Sequence, residues 1–152
     1  MHKHESFILQ CYELAAKATE NDNHPFGALL VLDGEVIFTA ENTVLTKRDP
    51  TAHAETNLVS AACRALGPQI VAQSMLYTST EPCAMCSGAI GWVGIRHVVY
   101  GCGANALYEL VGGDVKLRSR EVFSGMGFAV LVEGPVLEDI GMEQHRRYWK
   151  KS

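Results

Sequence analysis

Two short motifs limit what this chain can fold into: His53-Ala54-Glu55 and Pro82-Cys83-Ala84-Met85-Cys86. Cys83 and Cys86 are three apart, so on a helix they share one face and can bind a single metal ion as thiolates. A helix start lowers their pKa by stabilising negative charge. His53 stands 30 residues before Cys83 and supplies a nitrogen from a second predicted helix start. One imidazole and two thiolates make three protein ligands. Structural zinc usually takes four, whereas three leave a place for water, as catalytic sites do. Any fold that uses this set must bring two helix starts to one point. Taken alone, a C-x-x-C is also a redox pair or half of a structural zinc site, and a histidine near a helix start is commonly an ordinary surface or core residue.

Glu55 follows His53 by two residues, which on a helix turns it about 200° away. It is poorly placed to chelate beside the histidine. It can approach a water at the metal from another side, take a proton from it and pass that proton to a leaving amine. The other cysteines, Cys11, Cys63 and Cys102, are scattered and read as small buried residues. An odd total of five is a poor disulfide framework.

The rest of the chain gives these motifs a setting. Apolar spacing predicts a helix over 6–20, closed by Asn21-Asp22-Asn23 and Pro25. Strands are expected at 28–32 and 36–38, joined by Asp33-Gly34, a hairpin signal. Residues 43–50 read as a loop. A helix is expected from Asp49-Pro50-Thr51 to Leu66, where Gly67-Pro68 ends it, and a strand at 75–78. A helix over 82–92 with Pro82 in its first turn, a strand at 98–100, a strand at 128–132 and a terminal helix over 135–150, weakened by Gly141, complete the pattern. Residues 103–125 carry glycine breaks and are ambiguous. Strands alternating with helices favour a layered α/β sheet with an antiparallel hairpin at its start, in one domain spanning 1–152.

Composition excludes several classes. Hydrophobic residues are 47% and charged residues 20%, which argues for a packed core against disorder. No apolar run reaches a membrane-spanning length, and Met1-His2-Lys3-His4-Glu5 lacks a signal-peptide core. A cytoplasmic chain is expected. The net charge of −4 disfavours nucleic-acid binding by a broad basic face. The tail from Glu143 to Lys151 is locally basic and holds Tyr148 and Trp149. Those groups could grip RNA, or the cations could simply suit a helix C-terminus. The two aromatics could close a pocket or dock the last helix.

H-x-E followed by P-C-x-x-C is the zinc-deaminase signature, and on it the chain resembles the cytidine deaminase-like superfamily. The likeness runs from about Phe7 to Val132 and is strongest at 24–28, 49–55 and 81–90. It implies a three-layer α/β/α fold with a mixed five-stranded sheet. It also implies one zinc ion per chain on His53, Cys83 and Cys86, a proton shuttle at Glu55, and hydrolytic loss of ammonia from an aminated ring. Two branches are similar. Bacterial guanine deaminases share Pro25-Phe26-Gly27-Ala28, Asp49-Pro50-Thr51-Ala52-His53-Ala54-Glu55 and Gly88-Ala89-Ile90-Gly91-Trp92. That resemblance implies substrate contacts from Phe26, Asn42, the Ala54 N–H and Trp92. Their acidic G-F-D-D stretch is missing, and Asp114 stands in roughly its place. Core packing for Phe26 and Trp92, and turn capping for Asn42, are the competing readings. Bacterial tRNA adenosine deaminases share the D-P-T-A-H-A-E and E-P-C-x-M-C runs and use a basic C-terminal helix. The charge balance favours a small free substrate, a guanine-like purine first, with tRNA adenosine and cytosine or cytidine as alternatives. Family likeness further implies a homodimer.

Overall fold

The computed structural model describes residues 3–115 and 117–150. Helix α1 (Lys3–Glu20) leads into strands β1 (Gly27–Leu32) and β2 (Glu35–Glu41). Then come α2 (Val44–Lys47), α3 (Ala54–Leu66), α4 (Pro68–Ala72), β3 (Met75–Thr80), α5 (Ala84–Val93) and β4 (His97–Cys102). The chain continues through α6 (Ala104–Val111), α7 (Ser119–Gly125), β5 (Leu131–Glu133) and α8 (Glu138–Trp149). The five strands form one mixed sheet in the order β2-β1-β3-β4-β5. β1 runs antiparallel to both β2 and β3, and β3, β4 and β5 are parallel. Asp33 and Gly34 both adopt positive φ (52° and 79°), so the predicted Asp-Gly hairpin turn is present.

Alternation along the strands divides the core in two. Ala28 and Leu30 of β1, Leu76 of β3 and Val98 and Tyr100 of β4 face Ala54, Leu58 and Ala62 of α3, Ile90 of α5 and Phe123 of α7. Leu29 and Val31, Tyr77 and Val99 face Ile8, Cys11 and Tyr12 of α1 and Met142 of α8. Helices therefore cover both faces, and the three-layer arrangement is confirmed.

Several boundaries differ from expectation, each for a local reason. Asp49 does not cap α3; its Oδ1 accepts the Thr51 N–H (2.9 Å) and hydroxyl (2.7 Å), closing a turn, and extended His53 is the N-cap. Pro82 precedes α5, because Cys83 is extended and takes the N-cap position. The loop after Asn42 contains α2, whose Leu45 and Thr46 N–H groups donate to Asn23 Oδ1 (3.1 and 3.0 Å). The strand expected at 128–132 shrinks to Leu131–Glu133, since pairing with β4 begins at Leu131 and Phe128 turns away onto Trp92. The ambiguous segment 103–125 supplies α6 and α7.

The last helix starts only at Glu138, after its left-handed N-cap Leu137 (φ 52°); the Tyr12 hydroxyl lies between the Val136 and Leu137 carbonyls (3.1 and 3.0 Å) and donates to one of them at a time. Gly141 does not weaken it. A Cβ there would meet the Cys102 sulfur and come within 2.6 Å of the Tyr12 ring, so the missing side chain lets α8 seat against β4. Helix propensity alone predicts that Gly141→Ala stabilises by about 0.5–1 kcal/mol. Overpacking reverses the sign, and urea denaturation should show a loss of about 1–3 kcal/mol.

Candidate active site

The site lies at the carboxyl ends of the parallel strands, where open α/β sheets place their clefts. β3 ends at Thr80, and Glu81-Pro82 carries the chain into α5. α3 packs on the same face, so its first turn and that of α5 meet above the end of β3. His53 Nδ1 lies 3.6 Å from Cys83 Sγ and 3.5 Å from Cys86 Sγ. The three donor atoms lie within 4.8 Å of one another, and Cys86 is buried while Cys83 is open to the cavity. Both N-cap residues, His53 and Cys83, are candidate metal donors where a Ser, Thr, Asp or Asn would ordinarily stand.

Without a cation the two thiols compete for one proton. The Cys83 thiol is pulled down to about 4 by its hydrogen bond with Cys86 and by the His53 ring. Cys86 is driven up by the Cys83 hydrogen bond, by burial and by the Glu55 carboxylate. A divalent ion removes this conflict, because it supports both thiolates together. The donor set thus fits zinc.

Glu55, in the first turn of α3, is 6% exposed. Burial and the neighbouring Cys83 thiolate raise its carboxyl to about 7, against its own backbone N–H and the His53 ring, which favour the charged form. A carboxyl held at this value can carry a proton in either direction near neutral pH.

A cavity of about 630 Å³ opens over this set, lined by Phe26, Asn42, His53, Glu55, Cys83 and Asp114 among others. Phe26 packs against the core and also lines the cavity. Asn42 lines the cavity and also caps a turn, accepting the Val44 N–H at 3.0 Å. Ala54 opens α3 and is fully buried. Trp92 is not brought to this cavity. It stands about 12 Å along α5 from Ala84 by helical rise, is 76% exposed, and packs edge-on to Phe128. Cys63 is only half-buried, unlike Cys11 and Cys102.

Several residues here take their role from partners distant in sequence. Glu81 has a fully buried side chain. Its carboxylate accepts from Arg118 Nη2 (2.9 Å), the Ala104 N–H (3.0 Å) and the Ser119 hydroxyl (2.7 Å), fastening α6 and α7 over the cavity. These bonds hold its pKa below the ordinary carboxylate value despite burial. Behind the lining residues Phe26 and His24, α8 packs His145 on Phe26 (ring centroids 5.4 Å apart) and stacks Trp149 on His24 (5.2 Å). Tyr148 Oη lies 2.9 Å from His24 Nδ1. The two tail aromatics therefore dock the last helix onto the cavity rim. Arg146 and Arg147 pair with Glu143, while Lys151 lies outside the described residues.

Comparison with known proteins agrees with this geometry. Residues 1–102 match the cytidine and deoxycytidylate deaminase zinc-binding region. The chain is 30% identical to the probable cytosine deaminase of Schizosaccharomyces pombe over 149 residues, 95% of this chain and 91% of that protein. It is 45% identical to the tRNA-specific adenosine deaminase of Agrobacterium fabrum over 87 residues, 57% of each chain. A solved guanine deaminase structure from Nitrosomonas europaea superposes with a TM-score of 0.84 at 27% identity, covering 96% of this chain and 84% of that one. The chain belongs to the cytidine and deoxycytidylate deaminase family of zinc-dependent enzymes. Among the described residues no helix is long and apolar enough to cross a membrane.

His145, buried behind the cavity-lining Phe26 and Thr80, makes this part of the fold sensitive to acid. The indole N–H of Trp149 donates to its Nδ1 (3.1 Å), so the neutral ring carries its proton on Nε2, facing the Thr80 hydroxyl at 2.9 Å. Burial lowers its pKa from 6.5 to about 4. The unfolded chain takes up a proton near 6.5 that the folded chain refuses until about 4. Its contribution is complete above the unfolded value and falls through that window by up to about 3 kcal/mol. Denaturant melts across the interval should show a shallower acid loss for His145→Gln than for the wild type.

Proposed function

We propose that this enzyme hydrolytically deaminates a small free aminated ring, a guanine-like purine first. The observation that carries this reading is the buried Glu55 carboxyl beside the His53, Cys83 and Cys86 donors, at the base of a cavity of ligand size. His53, Cys83 and Cys86 would hold zinc. When bound, zinc acidifies a water so that it attacks near neutral pH. Glu55 takes a proton from the attacking water and delivers it to the amino group. Water oxygen bonds to the amino-bearing carbon, the carbon–nitrogen bond breaks, ammonia leaves, and an oxo ring remains. Phe26 offers a flat apolar face, Asn42 a donor–acceptor amide and the first turn of α3 the Ala54 N–H. Asp114 adds a carboxylate that accepts from ring N–H groups, which guanine presents beside its amino-bearing carbon.

Two features favour a free ring over tRNA. The likeness to the guanine deaminase structure runs through nearly the whole chain, while the likeness to the tRNA enzyme covers a shorter stretch. Tyr148 and Trp149 are engaged with His24, so the tail aromatics suited to stacking on RNA bases are occupied within the chain. Ammonia release should be compared across guanine, adenine, cytosine and their nucleosides. Guanine should give the highest kcat/KM, with no tRNA gel shift at low salt; turnover confined to tRNA or to cytosine overturns the substrate assignment. Glu55→Ala should keep its zinc by elemental analysis and lose about 10²–10⁴-fold in kcat. A variant as fast as wild type removes Glu55 from the reaction.

A further inference from the structure

A second set of donor side chains lies where α1 meets β4 and β5. His4 in the first turn of α1, His97 at the start of β4 and Glu133 at the end of β5 bring two ring nitrogens and a carboxylate oxygen within 4.8 Å of one another. His4 Nε2 is 3.2 Å from Glu133 Oε2, and His97 Nε2 contacts the same oxygen. His4 is 3% exposed, while the His97 and Glu133 side chains are 26% and 40% exposed. The set is thus walled by protein on one side and open to ions from solvent on the other. None of the three lines the catalytic cavity.

We propose that His4, His97 and Glu133 form a second metal site, for a borderline divalent cation such as Zn2+. Two imidazoles and one carboxylate suit zinc and its first-row neighbours, whereas Mg2+ and Ca2+ require oxygen donors throughout. The surroundings are those of a metal-binding histidine. His4 Nδ1 lies 2.8 Å from the buried Tyr77 hydroxyl, so an Nδ1–H donating to that oxygen leaves Nε2 unprotonated and aimed at the site. The site also sits where a cross-link is useful. β5 pairs with β4 over three residues only, His97 and Glu133 lie on these two strands, and His4 joins the start of α1 to them. With no metal, the same atoms make a hydrogen-bonded triad in which Tyr77 O–H donates to Nδ1. That arrangement binds nothing, which separates the two states by experiment.

The full chain, with its catalytic site loaded, should be equilibrated with Zn2+ and its metal content measured after gel filtration. The wild type should hold two ions per chain and show a further rise in Tm with added Zn2+. His97→Gln and Glu133→Gln should hold one, lose that rise and keep the wild-type deaminase turnover per catalytic zinc. Tyr77→Phe should bind the second ion about tenfold more weakly. Co2+ gives a readout independent of variant folding. The first equivalent should show an intense sulfur-to-cobalt band from Cys83 and Cys86, and the second only weak d–d bands. One ion per wild-type chain, or a second ion that survives in His97→Gln, overturns the proposal. Neither measurement depends on which ring is deaminated.

Discussion

The structure depends on one demand: an imidazole and two thiols from separate parts of the chain must reach one point. His53 and Cys83 achieve this as N-caps of α3 and α5, and Cys86 follows within the first turn of α5. Both helices must lie on the same face of the sheet with their N-termini at the carboxyl end of β3. Leu58, Ala62 and Ile90 hold them there against Leu76 and Val98, and the small Ala54 lets the tip of α3 sit close to the sheet. The two helix starts add partial positive charge where thiolates and a buried carboxylate collect. The core therefore serves chemistry as well as stability, since tilting either helix would separate the donors.

Around this point the protein handles buried charge in two opposite ways. Glu81 is surrounded by donors, so its carboxylate stays ionised and ties α6 and α7 down as a roof. Glu55 is equally buried but faces a thiolate, so its proton is held to near neutrality. Two carboxyls at one cavity acquire a brace's role and a shuttle's role from their neighbours alone. The packing behind Phe26 and His24 depends on α8. Gly141 brings that helix against Tyr12 and Cys102, and this approach carries His145 to Phe26 and Trp149 to His24.

The donor set and the hairpin were legible from sequence because both are local patterns: cysteines at helical spacing, a nearby H-x-E, and an Asp-Gly turn between apolar runs. The ends of elements were less legible. Asp49 and Pro82 look like helix starts, yet the helices wait for His53 and Cys83 because those residues are extended to reach one another. Trp92 looked like a pocket wall by resemblance, and its distance along α5 from the cavity removes it.

By itself the sequence determined the chemistry class and the alternation of strands and helices, because metal ligation and hydrophobic period are written in short-range spacing. Tertiary structure alone decided the rest. Glu81 meets Arg118, His145 meets Phe26, and His4 meets His97 and Glu133 across separations of 37, 119, 93 and 129 residues. Such partners have no common period or motif. They are chosen by which strand pairs with which through backbone hydrogen bonds and by how closely packing lets each helix approach the sheet.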